Sequence, residues 1–156
     1  MSLDILTFKG QISQADEQAV ARWFNQFPGF QYIETPKDLP AAVDAILVEH
    51  GRIIGVVETK CRYNMSIDTL RNEFGNEWLI TAEKVKVGMQ LAKQLCVPFF
   101  GFLFIVQDNA LLIQNLSTAT MRKEISETRR TINGGIAVRE NVFVLMDTAT
   151  VHTPVK

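Results

Sequence analysis

Cysteine and histidine are scarce, two of each in 156 residues, and neither has the spacing of a zinc site. Cys61 and Cys96 stand apart with no second ligand nearby, and His50 and His152 are equally isolated. Zinc chemistry is set aside, and so is a disulfide framework, because the apolar surroundings of Cys96 predict a buried thiol. Long apolar runs are missing as well. The longest, Val97 to Val106, has about half the length that crosses a bilayer, and no basic stretch leads into an apolar one near the N-terminus. The expectation is a soluble, unexported, cytoplasmic protein. A large charge of one sign is also absent: the net charge is −1, which argues against nonspecific adhesion to nucleic acid by the molecule as a whole.

What the chain does have is apolar mass, 47% of residues, at a length that suits one globular domain covering residues 1–156. Its charge is unevenly spread. Residues 1–78 hold 7 basic against 11 acidic side chains and residues 79–156 hold 9 against 6, so the halves carry −4 and +3.

Ser13 to Phe27 has the marks of a helix, with Ser13 as cap, Asp16 and Glu17 in the first turn, and Val20, Trp23, Phe24 and Phe27 at three and four spacing. Extended runs follow at 30–35, 41–49 and 52–60, the last two joined by a tight turn at His50-Gly51. A short helix is predicted near Ser66 to Phe74, then a longer one capped by Asn76 or Thr81 and running to about Leu95, with Trp78 and Ile80 on its apolar faces. Pro98 opens a very apolar strand, which turns at Asp108-Asn109 into a hairpin partner, Ala110 to Leu116. A basic segment at Ala119 to Thr131 suggests a helix broken by Gly134-Gly135. A last strand runs from Val138 to Met146, and the tail after Asp147 is expected to be loosely held.

The segment AVDAILVEHGRIIGVVETK carries the chemistry. Asp44 lies among apolar residues, where an unpaired carboxylate is costly. After thirteen intervening residues, Glu58-Thr59-Lys60 puts a carboxylate and an ammonium on one face of a strand. The plain alternative is a structural salt bridge between Asp44 and Lys60.

This pattern, in an αβββαβ order, resembles the core of the PD-(D/E)XK nuclease superfamily, also called restriction-endonuclease-like. The resemblance covers roughly residues 13–107; Val43 stands where the nominal motif has proline. It implies an α/β fold with a mixed sheet, an antiparallel hairpin and flanking helices. It also implies a Mg²⁺- or Mn²⁺-dependent nuclease acting on nucleic acid, DNA in the first place, with no membrane involvement. Metal ligands would be Asp44, Glu58, the Thr59 carbonyl and Glu17, and Lys60 would activate water. The alternative function is a nuclease-fold protein that binds nucleic acid or serves an assembly without cutting. A homodimer or a place in a larger complex fits either reading.

One geometric condition follows from the hairpin. A plain two-residue turn pairs Glu49 with Arg52 and hence Asp44 with Val57, which turns Asp44 and Glu58 to opposite faces. A working site needs a three-residue loop or a bulge, with Gly51 or Gly55 the natural place.

Further candidates are less specific. On the long helix, Lys84, Lys86 and Gln90 are polar, with Lys86 and Gln90 the first choices for substrate contact. Arg122, Lys123, Arg129 and Arg130 form the densest basic cluster and suit phosphate contact, though Glu124 and Glu127 also allow simple helix pairing. Arg62 and Tyr63 follow the motif closely enough to touch a strand.

Overall fold

The apolar run after Pro98 becomes the middle of the molecule. The computed structural model describes residues 8–128 and 137–156. In chain order the elements are α1 (Phe8–Asn25), β1 (Phe30–Glu34), β2 (Ala45–Glu49), β3 (Arg52–Arg62), α2 (Ile67–Glu73), β4 (Glu77–Thr81), α3 (Ala82–Leu95), β5 (Phe99–Ile105), β6 (Ala110–Asn115), β7 (Met121–Thr128), β8 (Ala137–Leu145) and β9 (Thr150–His152). A mixed sheet of six strands runs β1-β2-β3-β5-β6-β9, and a smaller one runs β4-β8-β7.

β5 lies parallel to β3 and antiparallel to β6. It is covered on both faces, which is why its sequence reads as apolar throughout. Phe99, Leu103 and Ile105 face α3 and the small sheet, while Phe102 and Phe104 face α1. Phe99, Phe102 and Phe104 are at most 1% exposed. Each such ring stabilises the fold by about 1.5–3 kcal/mol relative to an exposed one. The result is three layers: α1, the main sheet, then α3 with the small sheet.

Five expectations need correction. The helix expected over Ala119 to Thr131 is instead β7 through Thr128; the rest of that segment and Gly134-Gly135 lie outside the described residues. Its charges pair as a strand's do: Arg122 meets Glu124 two residues on and Glu77 of β4, at 2.7 and 2.8 Å. Trp78 and Ile80 sit two apart on β4, buried against β8, so the long helix starts only at Ala82. The β-favouring run Glu77–Thr81 alternates in burial, a period of two that overrides the helical spacing.

At the N-terminus, α1 begins before Ser13, which therefore lies inside it, because no proline between Phe8 and Ile12 stops the helix. The tail is docked: β9 pairs with β6, Val155 packs against the α1-side core, and Lys156 reaches Asp16 at 2.7 Å. Asp16 thus serves as a mid-helix anchor and not as a first-turn acid. Cys96 is exposed, since as the left-handed C-cap of α3 (φ 55°) it turns away from the core, and Cys61 is the buried thiol. Among the described residues no helix is long and apolar enough to cross a membrane.

Candidate active site

The hairpin decides whether a site exists. His50 (φ 48°) and Gly51 (φ 78°) make a two-residue turn with Glu49 opposite Arg52, the plain turn that taken alone would misplace Asp44. Further along, the pairing slips. Val48 faces Ile53 but Leu47 faces Gly55, so Ile54 is an extra residue and a bulge. From there Ala45 pairs with Val57, one residue later than an unbroken ladder would give.

The shift carries Asp44 to the level of Val57, Glu58 and Thr59. Its N–H donates to Val57 O at 2.9 Å, and its Oδ2 accepts from Thr59 N–H at 2.8 Å. Thr35 fixes the same residue from behind, its Oγ1 donating to Val43 O and Asp44 O at 2.7 and 2.9 Å. The N–H and C=O of a strand residue project toward the same neighbour, so the Thr59 carbonyl also faces the Asp44 side.

Glu58, 3% exposed, is held by two lysines: Lys84 from the first turn of α3 at 2.9 Å and Lys60 at 3.9 Å. Glu17 enters from α1, accepting from Tyr32 Oη at 3.1 Å and from Lys37 at 2.9 Å. Lys37, in the β1–β2 connection, also lies 3.7 Å from Asp44. Tyr32 Oη is 2.8 Å from Thr59 Oγ1, so a hydroxyl chain links β3 to α1. Two of these carboxylates, Glu17 and Asp44, and all three lysines line one cleft of about 330 Å³, with the buried Glu58 bonded to two of those lysines.

Crowding shifts the protonation of these groups. Burial, then the Asp44 charge, raises the Glu58 pKa against the pull of Lys84 and Lys60. Burial, then the Lys84 charge, lowers that of Lys60. Glu17 is raised above 4.5 by burial and by Asp44, although Lys37 opposes this. A carboxyl that binds its proton more tightly when folded stabilises the fold below its unfolded pKa and loses that contribution as pH rises through the folded value. Glu17→Gln, permanently neutral, is therefore expected to melt higher than the wild type at neutral pH, with the gap closing toward pH 4.5. Thermal melts of the metal-free proteins check this, and an equal gap at every pH would contradict it.

Among the described residues no three His, Cys, Asp or Glu side chains converge as a metal cage. The oxygen donors that the hairpin brings to one level are the Asp44 and Glu58 carboxylates and the Thr59 carbonyl. That set suits Mg²⁺ or Mn²⁺, hard cations held by one or two carboxylates with water filling the other positions. Glu17 also lines the cleft, its carboxylate already bonded to Lys37 and Tyr32.

The structure brings Asp44, Glu58, Thr59, Lys60 and Glu17 together. Lys86 and Gln90 are exposed and are not among the residues lining the cleft; Lys84 is the helix residue that lines it. Arg122 and Lys123 lie on the small sheet in ion pairs with Glu77, Glu124 and Glu140. Arg129 and Arg130 lie outside the described residues. Lys37 and Tyr32 are missed by motif spacing. A lysine between Pro36 and Pro40, just before the acid strand, and a buried tyrosine whose hydroxyl needs a partner were the signals available.

An Asp and a Glu-x-Lys converging at a bulged hairpin, on a mixed sheet between helices, define the restriction-endonuclease-like class. Residues 7–151 match the family described as "Phage putative PDDEXK endonuclease", and the chain belongs to that family. No curated protein matches it.

Proposed function

We propose that this chain is a single-domain, cytoplasmic nuclease that hydrolyses DNA phosphodiester bonds with Mg²⁺ or Mn²⁺, cutting internally with low sequence specificity. The bulge that sets Asp44 beside Glu58 and Lys60 is the observation that carries this reading. Asp44, Glu58 and the Thr59 carbonyl would hold the cation, which when bound supplies positive charge at the phosphate and a bound water of lowered pKa. Lys60, an ammonium beside Glu58, would orient the attacking water and offset the negative charge that develops on the phosphate. Lys84 fixes the Glu58 carboxylate through its 2.9 Å bond. Glu17 assists by drawing Lys37 toward itself, 2.9 Å against 3.7 Å to Asp44, which leaves Asp44 freer for the cation.

The test is nicking and linearisation of supercoiled plasmid in Mg²⁺, with EDTA as control. Circular DNA left intact while linear strands shorten would make the enzyme an exonuclease, and no cleavage of any DNA would overturn the reading.

Lys37 competes electrostatically with a cation on Asp44. Removing a charge 3.7 Å away is expected to tighten Mn²⁺ binding of Lys37→Met by about three- to tenfold, measured by calorimetry.

A further inference from the structure

The face of β3 that carries Glu58 and Lys60 carries Arg62 next. Its guanidinium is half-buried and donates one long bond, Nη1 to Cys61 O at 3.4 Å. Lys37, Lys60 and Lys84 each have a carboxylate within 4 Å, whereas Arg62 meets none among the described residues. Burial pulls its pKa below the ordinary arginine value. A cation withdrawn from water without a counter-ion is costly, and an anion at this point would offset the cost.

Beside it opens a cavity of about 580 Å³ walled by Met65, Phe74, Trp78, Leu79, Leu103 and Phe143. Leu103 is the direct neighbour of Lys60 across the β3–β5 ladder, so the groove starts one strand away from the motif lysine. Phe74 is 54% exposed and Leu79 37%, which leaves the mouth open and apolar. Arg122 sits 4.1 Å from the Phe143 ring, but its charge is met by Glu77 and Glu124. Among the described residues, the one charge at the groove without an opposite partner is therefore the positive Arg62. A flat, mostly apolar ring joined to an anion matches this surface, and a nucleotide is such a molecule.

We propose that the groove binds an unpaired nucleotide of the substrate strand next to the cleaved bond, the phosphate on Arg62 and the base against Phe74 and Phe143. The substrate class is then DNA with a single-stranded segment at the cut, because a base inside a duplex cannot reach the groove without leaving its stack. The inference rests on the nuclease reading above.

The experiment compares wild type, Arg62→Met and Phe74→Ala for binding to labelled oligothymidylate and to a blunt duplex, by fluorescence anisotropy in EDTA. Both substitutions fall at partly exposed sites. Each is expected to weaken oligothymidylate binding about tenfold while duplex binding stays unchanged. Arg62→Met is expected also to reduce the salt dependence by about one ion, and Phe74→Ala to leave it alone. In a Trp23→Phe background, the emission of Trp78 is expected to be quenched by oligothymidylate. Unchanged binding in both variants, or equal weakening on duplex, would overturn the groove while metal-dependent cleavage by wild type stood. A wild type that neither binds nor cuts DNA would remove the nuclease reading and the groove with it.

Discussion

Lys60→Ala is expected to lower metal-dependent strand cleavage by roughly 10²–10⁴-fold while Mn²⁺ binding survives. The lysine lies 3.9 Å from Glu58, too far for a strong bond, and Lys84 makes the short contact at 2.9 Å. Glu58 therefore keeps its main partner when Lys60 is lost. Losing a nearby positive charge would, if anything, favour a cation in the cleft. Asp44→Asn should fail differently. It halves the carboxylate set, so both metal binding and cleavage are expected to fall. Plasmid nicking at saturating Mn²⁺ separates the two variants, because only Lys60→Ala remains defective after its metal site is filled. Full activity in Lys60→Ala would mean that Lys60 only balances charge, with Lys84 the lysine that acts.

Gly88→Ala is expected to destabilise the fold by about 2 kcal/mol. Two effects oppose each other, and their sizes decide the sign. Alanine is a better helix former than glycine by about 1 kcal/mol. An added Cβ at this position, however, would stand 2.3 Å from the Phe99 ring, and that ring is 0% exposed with no room to swing. Overpacking of this kind costs about 3 kcal/mol, so the clash wins. The melting temperature should drop by about 4–8 °C. Combining Gly88→Ala with Phe99→Leu should recover part of the loss relative to Phe99→Leu alone, because the smaller side chain gives the methyl space. Gly88 lies one turn after Lys84, so the close approach of α3 to the sheet also sets the height at which Lys84 meets Glu58.

Much of the site could be read from the chain because its parts are local. Asp44, Glu58 and Lys60 lie within one hairpin, and period-two alternation fixes which face Glu58 and Lys60 share. The same arithmetic demanded a bulge, and Ile54 supplies it. Lys37 and Lys84 come from a loop and a helix that the hairpin does not reach, so only the packed fold reveals that they line the same carboxylates. Residues 121–128 went wrong for a different reason. Their alternating charges fit both a helix with paired neighbours and a strand, and the partner that decides, β8, follows later in the chain. Trp78 and Ile80 misled likewise, because a five-residue strand running straight into a helix leaves no turn signal between them.

The central claim is that a bulged hairpin assembles a divalent-cation site from Asp44 and Glu58. Calorimetric titration of Mn²⁺ into wild type, Asp44→Asn and Glu58→Gln, each verified as folded by circular dichroism, tests it most directly. The expected result is binding by the wild type that both substitutions abolish or weaken at least about tenfold. Equal binding by all three proteins, or none by the wild type, would contradict it.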